Sequence, residues 1–399
     1  MFIDREIAPS LRNHQINIAG AKGFVILGGC GKGWPPNTTP VQRAVALSSI
    51  GRVICLGTDD EPSEGLNSKC EYFRMPNVTS GSLRNLLNRI RPSLPCDVAV
   101  IAGPSLNQCR VALRIANEFR WAFWIDCYDH PRLPAGIAWA KHEWLRAMWH
   151  EVGACRFQAI AKHCDLLIRA IALSPATFNV PLDRQIHVMN GVSSALLTAE
   201  STSFAPDTQA ASQFRCCYVG VLENERTGVL LDVVRQSVHR GLNVAFEFAG
   251  PVSDVFAGAL REVLSCNRSR CTLELKGILP WKEVLQLITR SDICLYPFPN
   301  RFELNCVYPV KLGEYMAMGK PVIASDLTGA REMAGNSKGV LLLPPSNSDA
   351  WVMAISRIAD DATLRREMKR ENLHRASELS WEHQHRPLLT FAETHRLFL

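Results

Sequence analysis

The chain alternates short, wholly apolar runs with helix-like stretches, and it does so twice. In the first half the runs are FVILGG (24–29), RVICLG (52–57), DVAVIAG (97–103), WAFWIDC (121–127), DLLIRAIALS (165–174) and QIHVMNG (185–191). In the second they are CCYVGVL (216–222), NVAFEFAGP (243–251), CTLELKG (271–277), DICLYPF (292–298), PVIASD (321–326) and GVLLLP (339–344). Strands apolar on both faces belong in a parallel sheet covered by helices on either side. A buried helix segment can look the same over so short a span, and the bounding glycines and prolines decide for strands. TPVQRAVALSSIG (39–51), a long tract over 135–163, and the tail from about 347 read as helical. AESTSFAPDTQAASQ (199–213), small and polar with one proline, has linker composition. The pattern predicts an α/β protein with two Rossmann-like doubly wound domains, residues 1–198 and 214–380, facing across a cleft. Such sheets take ligands at the carboxyl ends of their strands.

Composition narrows the classes. The 399 residues suffice for two cores, and 47% hydrophobic with 21% charged is ordinary for a globular chain. A net charge of +6 suits phosphate-bearing ligands or an anionic membrane surface. No dense Lys/Arg stripe or nucleic-acid signature is present, so no nucleic-acid partner is expected. The 14 cysteines are scattered, without CxxC or zinc-type Cys/His spacing. They read as reduced, mostly buried thiols of a cytoplasmic protein without a metal site. MFIDREIAPSLRNHQ lacks the apolar core of a secretory signal, and no apolar run approaches a membrane span.

Four stretches carry chemistry. In YPVKLGEYMAMGKPVIASD (308–326), Pro309 suits a first helical turn, and Lys311 and Glu314 fall three apart near the positive helix end. Gly319 suits the left-handed C-terminal conformation, and Pro321 stops the helix. Helix N–H groups with an ammonium favour a diphosphate, and a carboxylate one turn on can accept both hydroxyls of a ribose. The plain alternative is an i,i+3 ion pair on a solvated helix. GVLENERTG (220–228) puts Arg226 at another helix start, where the alternative is a surface arginine. VILGGCGKGWPPNTTP (25–40) sets Gly28, Gly29, Gly31 and Gly33 after the first strand but misses both the GxGxxG and the GxxxxGK[ST] patterns. It says only that the backbone approaches a ligand or its own chain closely. WIDCYDHPRLP (124–134) ends a strand with Asp126, Asp129, His130 and Pro131, where an acid and an imidazole could orient a hydroxyl or a sugar. Turn chemistry is the alternative there, and the sequence leaves open which of Asp129 and His130 would face a sugar.

Taken in order, these stretches resemble the large retaining GT-B glycosyltransferase family that includes sucrose, trehalose and lipopolysaccharide sugar transferases. MNGV (189–192) is similar to its "NGvD" turn, YVGVLENERTG to "vGrl...eKg", and KGILPWKEVLQLITRSDICLYPF to "G.vp..el...l..adv.v.Ps". KLGEYMAMGKPVIASD is similar to "lEamA.G.PVvas", and LSWEH (379–383) to the "ysW" before a last helix, here 381–399, that returns to the first domain. The resemblance implies a metal-independent transferase without a cofactor, moving a sugar from a nucleotide-diphospho-sugar to a hydroxyl of a polysaccharide or lipid-linked glycan precursor, with retention. It implies that Glu314 holds the ribose and that Arg226, with Lys311, binds the diphosphate. Gly28, Gly29 and Gly31 would approach donor or acceptor, and Asp129 or His130 the sugars. The chain departs from the pattern at Val221, where the family has a basic residue, and at Cys306, where it often has a glutamate; Glu303 is the nearby substitute. These departures favour one rival, a non-catalytic sugar-binding scaffold; a nucleotide-sugar epimerase on the same architecture is the other. Trp139, Trp144 and Trp149 stand five apart beside Lys141, Arg146 and Arg156. Core packing is their expected use, and peripheral docking at the inner membrane face, known in the family, is the rival.

Overall fold

The computed structural model describes residues 22–32, 38–77, 79–198, 213–265 and 270–395. The expected linker and Gly33 lie outside these, Gln213 apart. The first sheet is formed by β1 (Lys22–Leu27), β2 (Gly51–Gly57), β3 (Cys70–Arg74), β4 (Asp97–Ala102), β5 (Ala122–Cys127), β6 (Leu166–Arg169) and β7 (Gln185–His187), in the order β3-β2-β1-β4-β5-β6-β7. The second contains β8 (Phe214–Val219), β9 (Val244–Ala249), β10 (Thr272–Leu275), β11 (Ile293–Tyr296), β12 (Val322–Ser325) and β13 (Val340–Leu343), in the order β10-β9-β8-β11-β12-β13. Every strand pair is parallel.

The apolar runs are apolar because both faces are covered. Along β1, Phe24 and Ile26 enter one core with Val53, Ala99 and Trp124, while Val25 and Leu27 enter the other with Ile54, Val100 and Phe123. Each such side chain contributes about 1.5–3 kcal/mol on burial. The sequence pattern missed β3, whose CEYFR sits half-exposed at the sheet edge and never forms an apolar run.

Strand order reverses direction between β1 and β4, and again between β8 and β11. Each reversal opens a crevice at the carboxyl ends of its two strands. The last helix, Trp381–Thr394, lies against the first sheet, with Leu388 and Ala392 in the Phe24–Trp124 core and Phe391 edge-on to Trp124 at 6.0 Å. Val192 N–H donates to Leu379 O at 2.7 Å and Trp381 N–H to Val192 O at 3.1 Å, so MNGV and LSWEH cross face to face. Asn190 joins the same junction, accepting from Thr39 Oγ1 at 2.7 Å and donating to Tyr308 O at 2.8 Å.

The tract over 135–163 is two helices, Leu133–Ala140 and Trp144–Ala161. His142 breaks it at φ 58, a left-handed turn that neither glycine nor proline announces. The tryptophans are not core residues: Trp139 faces solvent in part, and Trp144 and Trp149 are 57% and 72% exposed. That corrects the core-packing expectation. Both helices turn only their small residues inward, notably Ala135, Ala138, Ala147 and Ala154, with Phe157 the one large exception.

Candidate functional site

The helix Val310–Ala317 is not the solvated helix that its ion pair alone suggests. Leu312, Gly313, Glu314, Tyr315, Met316 and Ala317 are all buried. Pro309 precedes the first turn rather than lying in it, and Gly319 takes φ 62 past the end. Tyr315 hydroxyl accepts from Val219 N–H at 3.0 Å, pinning this helix to the end of β8. Lys320 of the Gly-Lys-Pro stop is structural: its ammonium donates to Thr289 O at 2.6 Å and Ser291 O at 2.8 Å, and burial lowers its pKa.

Glu314, 1% exposed, lies 3.0 Å from Lys311 Nζ, which also stands 4.8 Å above the Trp281 ring. A buried carboxylate is costly unless paired, and removing one partner of such a pair typically costs about 3–5 kcal/mol. Lys311 is about one-third exposed and reaches the crevice between β8 and β11. That crevice is a cavity of about 190 Å³ lined by Tyr218, Gly220, Arg226, Tyr296, Phe298 and Lys311, among others. Arg226 comes from the first turn of the helix Asn224–His239. The turn is closed by Thr227, whose hydroxyl donates to Glu223 O at 2.9 Å and accepts from Glu223 N–H at 3.1 Å. Tyr218 and Tyr296 have hydroxyl pKa values raised by burial, so both phenols stay neutral and the cavity's fixed charge is the two cations.

Asp129 belongs to the first domain, two residues past β5. Burial raises its pKa to about 6, and the Arg226 guanidinium of the second domain opposes that rise, so the two charges lie within electrostatic reach of each other. A second link is Lys141 Nζ to Glu223 Oε2, 3.0 Å apart, beside Arg226. Asp129, Arg226, Lys311 and Glu314 therefore come together. Two cations beside helix N–H groups can hold a diphosphate; Glu314 is not in the cavity wall and joins it through its pair with Lys311.

The other expected residues go elsewhere. His130 is buried against a separate cavity with Phe302, its Nδ1 accepting from Arg132 N–H at 3.0 Å. Burial lowers its pKa, with the Arg132 charge acting the same way. Glu303 is paired with Arg301, and its carboxylate fills the space where a Gly136 Cβ would stand, so it locks the domains together rather than lining the Arg226 cavity. Cys306, in the place of the family's glutamate, is buried; desolvation pushes its thiol up to about 12, and Asp129 and Glu303 push in the same direction.

Gly28, Gly29 and Gly31 do not line the Arg226 cavity either. A Cβ on Gly28, at φ 85, would stand 2.5 Å from Gln108 Nε2, and one on Gly31 would meet the Asp59 carboxylate. Their close approach is to their own domain. The crevice between β1 and β4 is nearly full, with about 10 Å³ left beside Arg43, Asp126 and Tyr128. Arg43 Nε and Nη2 grip Asp126 at 2.9 and 3.1 Å, both side chains almost fully buried. Asp126 is thus a structural partner. Sequence reading missed Arg43, 83 positions away, and also Tyr218, Tyr296 and Phe298, aromatics of strand ends that look like core.

Residues 213–361 match the family described as glycosyl transferases group 1. The match falls on the second domain, which is similar to a glycosyltransferase domain. The whole chain is similar to Anabaena HepE solved with UDP, at 14% identity and a TM-score of 0.65, over 94% of this chain and 100% of that one. It is similar to sucrose-phosphate synthase from Thermosynechococcus elongatus at 15% identity and 0.65, over 93% and 98%. WaaG, a glycosyltransferase of lipopolysaccharide biosynthesis, is similar at 12% identity and 0.63, over 92% and 98%. The fold is GT-B. No protein of curated function matches the chain in sequence. The Arg226–Lys311 cavity is the crevice of the second domain, and Asp129 is the first-domain carboxylate within electrostatic reach of it. Among the described residues no group of three or more His, Cys, Asp or Glu is placed to hold a metal ion, and no helix is long and apolar enough to cross a membrane.

Proposed function

We propose that this protein transfers a sugar from a nucleotide-diphospho-sugar to a hydroxyl of a polysaccharide or lipid-linked glycan precursor, with retention and without a metal ion or cofactor. The observation that carries the reading is the β8–β11 cavity, with Arg226 and Lys311 at its wall, buried Glu314 paired with Lys311 and Asp129 within electrostatic reach of Arg226. In the reaction the bond from the sugar's anomeric carbon to the diphosphate oxygen breaks and a bond to the acceptor oxygen forms on the same face. The departing phosphate oxygen takes the acceptor proton. Arg226, able to bind bidentately, and Lys311 stabilise the charge that develops on the leaving diphosphate, and the fold holds them in place before the reaction begins. HepE was solved with UDP and with UDP-glucose, which makes uridine the first base to try.

Calorimetric titration of UDP, GDP and ADP into wild-type and Glu314→Ala protein tests the donor site. One nucleotide is expected to bind, about 2 kcal/mol more weakly in the variant as the ribose contact is lost. Absence of binding by all three would favour the scaffold alternative.

The reading places the protein in the cytoplasm, peripherally at the inner face of the membrane. The exposed Trp139, Trp144 and Trp149 beside Arg146 and Arg156 support that placement. Flotation with anionic vesicles at low salt is expected to carry the protein up, and a protein that stays at the bottom would rule the placement out.

A further inference from the structure

The cavity behind His130, about 270 Å³, plays no part in the donor site. Its apolar walls are Pro131, Ala154, Leu173 and Phe178 from the first domain and Phe302 from the second, whose ring meets His130 edge-on at 4.8 Å. Two of the polar side chains around it are engaged by the protein. Gln158 Nε2 donates to Thr177 O and its Oε1 accepts from Asn179 N–H, both at 3.5 Å, and the Arg132 guanidinium lies 3.2 Å from Glu151. A sugar there would turn much of its hydroxyl surface on Pro131, Ala154, Leu173, Phe178 and Phe302, a desolvation cost that hydrocarbon does not meet.

Two features say where such a hydrocarbon comes from and where it leads. The helix Trp144–Ala161 carries an exposed apolar stripe, Trp144, Leu145, Met148, Trp149 and Val152, that runs towards Cys155, which is itself exposed and lines the cavity. The exposed stripe and the cavity therefore adjoin at Cys155. At the other end, His130 follows Asp129 directly, and Asp129 lies within electrostatic reach of Arg226, which lines the donor cavity. An occupant held behind His130 presents its polar head beside the donor phosphate site.

We propose that this cavity seats the hydrocarbon of an amphiphilic acceptor, whose head group then receives the sugar at Asp129 and Arg226; the acceptor role rests on the transfer reaction proposed above. It also gives the tryptophan stripe a role as the path along which a lipid-linked acceptor leaves the bilayer.

Cys155 reports occupancy. Its modification by N-ethylmaleimide is followed by peptide mass spectrometry on the full chain, with exposed Cys96 as internal control. The probe is n-decyl β-maltoside below its micelle concentration, compared with maltose. Decyl maltoside is expected to slow modification of Cys155 by about fivefold or more once the cavity is mostly filled, with Cys96 unaffected and maltose inert. An unchanged Cys155 rate, equal slowing of Cys96, or equal protection by maltose would each overturn the hydrocarbon site. UDP titration of the same samples reads the donor site separately. Protection of Cys155 without UDP binding would overturn the transfer reaction, and with it the acceptor role, but not the hydrocarbon site.

Discussion

The two domains share one strand order up to their sixth strand, yet their switch-point crevices end differently. Between β1 and β4 the crevice is packed shut: Gln108 stands over Gly28, Asp59 over Gly31, and the Arg43–Asp126 pair fills the space beneath. Between β8 and β11 it is open by about 190 Å³, and its cations, Arg226 and Lys311, lie on the wall. Each site contains arginine and a buried carboxylate, so residue type does not distinguish them. The distinction is in what satisfies the cation. Arg43 spends its guanidinium on Asp126 in the dry interior, whereas Arg226 is only within electrostatic reach of Asp129. A cation spent on a carboxylate in a closed interior stabilises the fold; one that lines an open cavity, as Arg226 does and as Lys311 does beside its Glu314 pair, is available to a ligand.

The largest expected effect breaks the second crevice. The Arg226→Ala, Lys311→Ala double variant should lose about a thousandfold or more in donor kcat/KM, and Arg226→Ala alone, which leaves the Lys311–Glu314 pair in place, should lose most of that while keeping its melting temperature within a few degrees. Full activity in the double variant would end the phosphate assignment. Breaking the first crevice should do the opposite. Arg43→Ala leaves Asp126 buried without its partner and should cost about 3–5 kcal/mol in denaturant unfolding, with UDP affinity unchanged in the protein that remains folded. A smaller effect sharpens the cleft between them. With its pKa raised to about 6 in the fold against an ordinary 3.8, Asp129 adds no penalty below pH 4. The penalty grows as pH rises through 6 and is complete above it. Asp129→Asn should therefore be about 1–3 kcal/mol more stable than wild type at pH 7.5 and indistinguishable at pH 4 by the same unfolding titration.

Much of this contrast was legible in the sequence, and the reasons for the remainder are physical. Strands buried on both faces announce themselves, so twelve runs were readable, while CEYFR at an edge kept its charged and polar residues and was not. Arg226, Lys311 and Glu314 could be read because a phosphate site needs cations near helix starts, a local pattern. The fate of Gly28 and Gly31 was not local: it is decided by Gln108 and Asp59, which come from elsewhere in the chain. The tryptophans misled because large aromatic rings are usually buried, and the break at His142 relies on a left-handed residue that is not glycine. Glu303 looked like a substitute for the missing family glutamate, but its partner Arg301 and its packing on Gly136 give it an interface role.

The most direct test of the central claim is hydrogen–deuterium exchange with and without saturating UDP. Slowed exchange is predicted over residues 219–230 and 308–318, around Arg226, Lys311 and Glu314, with no change over 26–32 and 101–106 at the first crevice. Slowing confined to the first crevice would contradict the account, because it would place the nucleotide where the structure has left no room for it.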